Sequence, residues 1–440
     1  MIKKIISLIC TVSAIFCLCV PANAYQISGF ELNAQNALLV SLDNGMVVYE
    51  KNANDRVYPA SITKIMTAIV IMDNVKDYDN EKIPTSYYAI HAMDGTGSTM
   101  LNLKVGEELT PRQSLYALLM CSAADCGMAA AEYYGGSVEN FVKMMNDKAK
   151  ELGMNDTNFM NIHGLHDDNH YTTVNDIYKM TKAAMTYDIF MEIVSSSRYN
   201  MAATNMSGER TLVTTNYLQD ANTAYYYKYA KGVKTGYTDK AGRCLVTTAT
   251  KNGYSYLCIV MNCPPRNEAG QLQRKEFTDS KNLYEWVFNN YNYKLICDTS
   301  TPIGEAPVEL CRDADHVSLV LEEDFSAILP KLADDSTVTY DLHLKSETID
   351  APIKAGEVLG TVDIKYANEV LDTVNVVSGQ TLERSSVLAF IRGIKNIFTS
   401  KVFIFLVAVI LAGCAAFVVS SIIMTKRARA RRRKVKYKRF

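Results

Sequence analysis

No cysteine spacing in this chain resembles a zinc site, and no paired framework of cysteines is visible. Of eleven cysteines in 440 residues, Cys10, Cys17 and Cys19 fall in the first 24 and Cys414 in a late apolar run. The seven that remain, Cys121, Cys126, Cys244, Cys258, Cys263, Cys297 and Cys311, are an odd and unpatterned set, which argues against a disulfide scaffold. Cys121, Cys126, Cys244 and Cys258 lie in apolar helix or strand runs and read as small core residues. Cys297 and Cys311 flank an expected domain junction and are the one pair worth testing. Net charge is also nearly missing, because 46 basic residues offset 47 acidic ones.

That balance hides a partition between the two ends. The N-terminus runs from Lys3-Lys4 through an uncharged stretch, Ile5 to Val20, to Pro21 and Ala22-Asn23-Ala24, the pattern of an export signal over residues 1–24. Residues 402–424 are uncharged and, as a helix rising ~1.5 Å per residue, just long enough to cross a bilayer. Ten cations follow in residues 425–440, from Lys426 to Arg439, and this asymmetry predicts a cytoplasmic tail. A stop-transfer flank accounts for them without a nucleic-acid partner. With the ten tail cations and the two signal lysines set aside, 34 basic residues face 47 acidic ones, so the exported part carries about 13 negative charges.

Between the ends, residues 25–293 and 294–380 read as two domains. Ala37–Leu42, the turn Asp43-Asn44-Gly45 and Met46–Glu50 form a predicted hairpin. Helical spacing dominates from Ser61 to about Ile177, including Ser114–Tyr134 and Val138–Leu152. Strands return at Gly232–Tyr237, Cys244–Thr250 and Tyr254–Met261, before a helix from about Leu272 to Tyr291. This order predicts an α/β sandwich with a helical insertion and a sheet built from both ends of the domain. Val317–Leu321, Val338–Leu342 and Thr361–Ile364 then alternate with period two, as in a small all-β domain. Residues 381–401 read equally as an amphipathic helix on the membrane or as a polar linker.

Three elements carry chemistry. Ser61-Ile62-Thr63-Lys64 opens an apolar helix and sets an amine one turn from a hydroxyl, which activates a serine without histidine. Pro59 favours a helix start, where a backbone N–H can serve an oxyanion. Ser122 leads into an alanine-rich helix. Lys234-Thr235-Gly236 on an expected strand edge offers an ammonium and a hydroxyl to a carboxylate, and the N–H of Tyr237 to an oxyanion.

With these motifs in this order, the chain resembles the serine penicillin-recognising enzymes, which use S-x-x-K, S-x-N and K-T-G. More narrowly it is similar to the low-molecular-mass penicillin-binding proteins that act as D-alanyl-D-alanine carboxypeptidases. Tyr58–Ala68, Asn161–Leu165, His170–Thr173 and Lys234–Gly242 carry that resemblance. It implies a penicillin-binding-protein/β-lactamase-like transpeptidase domain, a β-rich domain and a C-terminal transmembrane helix. It further implies Ser61, Lys64 and Ser122 as catalytic residues, and Lys234, Thr235, Gly236 and Tyr237 as substrate-binding residues. The resemblance implies no metal or cofactor, and implies peptidoglycan stem peptides as partners with β-lactams as inhibitors.

One position departs from the pattern: Ser122-Ala123-Ala124 replaces serine-x-asparagine, and Ala124 has no polar side chain. A weakened enzyme is expected, with a wall-binding scaffold or a β-lactamase as alternatives. His163, His166 and His170 with Asp167 and Asp168 suggest a metal site only weakly, because they fall in the histidine-glycine segment of the resemblance. Glu151-Leu152-Gly153-Met154-Asn155 reads as a helix end capped by Gly153 more readily than as a deacylating glutamate motif. Tyr225–Tyr229 reads as packing sooner than as a sugar platform.

Overall fold

In the computed structural model the described residues are 31–331, 333, 337–366 and 369–436, so the export signal lies outside them. The chain divides into two units. One holds the residues up to Lys294 together with Ala327–Ala333, and the other Leu295–Ser326 with the chain from residue 334 on.

A five-stranded antiparallel sheet organises the first unit: β1 (Asn36–Ser41), β2 (Val47–Lys51), β3 (Ala230–Thr238), β4 (Gly242–Lys251) and β5 (Tyr254–Cys263). Its order is β2-β1-β5-β4-β3, so the first hairpin is joined to the last three strands across a long helical insertion, and β3 is an edge. The central strands are buried on both faces. Along β1, Leu38 and Val40 pack with the inserted helices, whereas Ala37 and Leu39 pack on the other side with Phe277, Tyr284 and Val287 of α7 (Lys275–Asn290). This is the period-two alternation of a strand read from both sides.

The insertion contains α1 (Lys64–Asn74), α2 (Pro111–Met120), α3 (Ala124–Gly135), α4 (Val138–Glu151), α5 (Val174–Ala184) and α6 (Asp188–Val194). Helix α1 is buried from Lys64 to Met72 without interruption. A helix that is apolar all round belongs at the centre of its bundle, and α2, α3, α4 and α5 all contact α1. The expected helix over Ser114–Tyr134 is in fact two. Thr110 and Gln113 form a capping box with Pro111 in the first turn of α2, and the helical run breaks after Met120. It resumes at Ala124.

Ala327–Ala333 returns to the first unit because Ile328 enters the cluster under α7 and the Lys331 N–H donates to Asn290 O at 2.9 Å. The second unit is built on a sheet of β6 (Gly304–Glu309), β7 (His316–Leu321), β8 (Val338–Leu344), β9 (Ile349–Asp350), β10 (Val358–Tyr366) and β11 (Glu369–Ser378). Its order is β8-β10-β11-β7-β6-β9. Cys297 and Cys311 are both free thiols here, so the pair considered from the sequence is not formed.

Helix α8 (Ser386–Thr399) is capped by the Ser385 side chain, and none of its residues is buried. Helix α9 follows over Lys401–Lys436, and its Lys401–Arg429 part is long and apolar enough to cross a membrane.

Candidate active site

Ser61 does not sit inside the α-helix. Ala60–Thr63 form a 3-10 turn, closed by the Ile62 N–H donating to Pro59 O at 3.1 Å, and α1 starts at Lys64. Ala60 is in the left-handed region at φ 47°, a strained state for alanine. Two glycines make room for this turn. A Cβ on Gly164, itself at φ 87°, would lie 1.8 Å from Ala60 O, and one on Gly236 would lie 3.2 Å from Ser61 N. The histidine-glycine loop and β3 therefore both press directly on the serine.

The Lys64 ammonium lies buried and donates to Ser61 Oγ at 3.0 Å and to His163 O at 2.7 Å. The second bond has a chemical consequence. One N–H is committed to the carbonyl, so a neutral Lys64 can turn its lone pair to the Ser61 hydroxyl. Burial, and secondarily the Lys234 ammonium, hold the Lys64 pKa well below the ordinary lysine value. Lys234 is 1% exposed on β3, and burial brings it down to about 7. Its Nζ donates to Thr235 O at 3.1 Å.

Ser122 occupies the break between α2 and α3 at φ 63°, and its buried Oγ has no hydrogen-bond partner among the described residues. The break is held in place rather than loose. Cys121 and Ala123 N–H groups both return to Ala117 O, and the Ala124 N–H donates to Thr99 O at 2.8 Å. Asp125, fully buried, accepts from the N–H groups of Leu101, Leu103 and Cys126.

On β3, Thr235 Oγ1 lies 2.6 Å from Thr215 Oγ1. Tyr237 is exposed, its hydroxyl donates to Asp239, and the Arg243 guanidinium sits 4.9 Å from its ring centre. Ser61, Lys64 and Lys234 are thus linked by distance or electrostatics, with Gly236 packed on the serine turn. Ala124 is fully buried and brings no polar side chain.

The weaker candidates resolve into structural roles. His170 accepts the Met160 N–H at Nδ1, so its Nε2 carries the proton and donates to Thr63 Oγ1 at 2.8 Å. Burial lowers His170 to about 4 and, with help from Lys64, His163 to about 3. Among the described residues no group of three or more His, Cys, Asp or Glu could hold a metal. Glu151 pairs with Lys148 at 2.8 Å, and Tyr227 is buried and stacked on Tyr284. Cys126, Cys244 and Cys258 are buried, but Cys121 is only half-buried, because the chain leaves the helix at that point.

Four contributors escaped the sequence reading: the His163 carbonyl, Gly164, Asp125 and Thr215. Gly164 was visible as a glycine in a motif, and Asp125 as an acid in the first turn of a helix. No local pattern marks Thr215.

The family model described as D-alanyl-D-alanine carboxypeptidase matches residues 22–264, and that of the penicillin-binding protein 5 C-terminal domain matches 291–384. The D-alanyl-D-alanine carboxypeptidase DacF of Bacillus subtilis is 30% identical over 363 residues, covering 82% of this chain and 88% of the relative. Among solved structures, the carboxypeptidase DacD of Francisella tularensis has a TM-score of 0.66 at 22% identity, over 82% of this chain and 96% of that one. Penicillin-binding protein 5 of Haemophilus influenzae has a TM-score of 0.64 at 24% identity, over 81% and 100%. Those two likenesses establish the shared fold, while the family match and DacF establish descent: the chain belongs to the D-alanyl-D-alanine carboxypeptidase family.

Proposed function

We propose that the protein is a serine-type D-alanyl-D-alanine carboxypeptidase that trims the terminal D-alanine from peptidoglycan stem peptides through an acyl-enzyme on Ser61. The observation that carries this reading is the Lys64 amine, buried, depressed in pKa and 3.0 Å from Ser61 Oγ. Neutral Lys64 takes the serine proton as Oγ attacks the carbonyl between the last two D-alanines. The N–H groups of Ser61 and Tyr237 steady the oxyanion, and Lys234 with Thr235 receives the terminal carboxylate. The leaving amine is protonated through Ser122, and water then hydrolyses the ester. A β-lactam acylates the same serine and leaves slowly.

Ala124 weakens this cycle. A missing buried hydrogen-bonding group costs about 1–3 kcal/mol, or roughly tenfold to a hundredfold in rate. We place the catalytic unit on the wall side of the membrane, held by α9, with the basic tail in the cytoplasm.

Mass spectrometry after brief penicillin treatment tests the reading. The wild type is expected to gain one adduct on Ser61 and to release D-alanine from a pentapeptide, S61A to do neither, and A124N to react faster. An adduct in S61A would sink the assignment. Binding of peptidoglycan with neither adduct nor D-alanine release would favour a wall-binding scaffold instead.

A further inference from the structure

We propose that Thr215 is a positioning residue that orients the Thr235 hydroxyl toward the substrate's terminal carboxylate, so that this pair of hydroxyls selects peptides with a free C-terminus. The inference rests on the acyl-transfer reading above and deepens it.

Two threonine hydroxyls 2.6 Å apart share one hydrogen bond, and either can be the donor. The choice decides what the cleft presents. If Thr235 donates to Thr215, its lone pairs face outward and repel an incoming carboxylate. If Thr215 donates to Thr235, the Thr235 proton is free to make a charge-assisted bond to the carboxylate, strengthened by the bond it accepts. Such an arrangement matters because burial depresses the neighbouring Lys234 to about 7, so a directed hydroxyl adds to what that cation offers the carboxylate.

Thr215 is fixed well enough for this task. Its N–H donates to Met120 O at 3.2 Å, at the end of α2 just ahead of Ser122. The next residue, Asn216, is buried and donates through Nδ2 to Gly232 O at the start of the motif strand. Its Oδ1 accepts the Leu218 N–H at 3.1 Å. Thr215 therefore ties the Ser122 break to β3, and its hydroxyl reaches Thr235 from a backbone pinned on both sides.

The test compares second-order rates of Ser61 acylation by penicillin and by penicillin methyl ester, in the full-length wild type, T215V and T215S. T215V is expected to slow penicillin tenfold to a hundredfold while leaving the methyl ester within about twofold, since removal of the carboxylate removes what Thr235 binds. T215S, which keeps the hydroxyl, is expected to stay close to wild type on both. The ester arm shows that the variant is folded and its serine reactive. Equal losses on both compounds, or no loss on penicillin, would overturn the inference while leaving the nucleophile assignment intact. A wild type that reacts with neither compound would overturn both.

Discussion

Lys234 illustrates how costly a single buried cation is in this fold. Its ordinary pKa of 10.5 falls to about 7 in the folded protein, with burial as the leading cause. Between those two values the unfolded chain binds more protons than the native one, so stability climbs as pH rises from about 7 to 10.5, and the full penalty applies below 7. K234M removes that penalty. The variant is expected to melt a few degrees higher at pH 7 and to lose the Lys234 share of the wild-type rise in melting temperature toward pH 10, keeping the share that buried Lys64 contributes, while penicillin acylation falls sharply. Calorimetry across that pH range checks it, and equal pH slopes in the two proteins would contradict it. Lys64, also lowered by burial, adds a rise of the same sign to both proteins, so the difference between the two slopes is what reports Lys234; His163 and His170, depressed to about 3 and 4, stay neutral in the native state throughout.

At the scale of elements, the decisive feature is the break between α2 and α3. An uninterrupted helix would carry Ser122 on a helical face. The break turns it into the left-handed region with its hydroxyl buried and unpaired among the described residues. Asp125 ties the break to the loop at Leu101 and Leu103 by accepting both of their N–H groups, and it also accepts the N–H of Cys126 on its own helix. D125A would orphan those donors, and we expect a loss of at least about 3 kcal/mol. Acylation should slow as well, even in a fraction that remains folded. Urea denaturation alongside penicillin labelling separates the two effects; unchanged stability would show that the carboxylate is not what holds the break.

At the scale of the whole molecule, the chain forms two units, the second of which includes a pair of C-terminal helices of different character. Helix α8 exposes Val387, Phe390, Ile391, Ile394, Ile397 and Phe398, spaced along one side as in an interfacial helix, and α9 is apolar enough to span. Arg392 fastens α8 to Asp350 and Glu309 of the second unit. A chain ending at residue 384 is expected to stay off anionic lipid vesicles and to label with penicillin at the full-length rate. One ending at residue 400 is expected to bind vesicles in a salt-sensitive way. Cosedimentation reads both, and equal behaviour of the two truncations would assign all membrane affinity to α9.

Much of this was legible residue by residue. The hairpin around Asp43-Asn44-Gly45, the three late strands and the helix after them follow from alternation and turn chemistry, since those signals are local. Ser61, Lys64 and Lys234-Thr235-Gly236 were visible as candidates for the same reason: the proposed nucleophile, base and carboxylate receptor are particular residue types at short spacing. The break at Ser122 was not, because Cys121-Ser122-Ala123-Ala124 has good helix formers on both sides, and the pull comes from Thr99, Leu101 and Leu103 some twenty residues upstream. Gly164 against Ala60, the His163 carbonyl on Lys64 and Thr215 on Thr235 are likewise contacts between distant stretches of chain. Short-range chemistry named the reacting groups; long-range packing set their protonation, strain and aim, because burial and approach distance exist only once the chain has closed on itself.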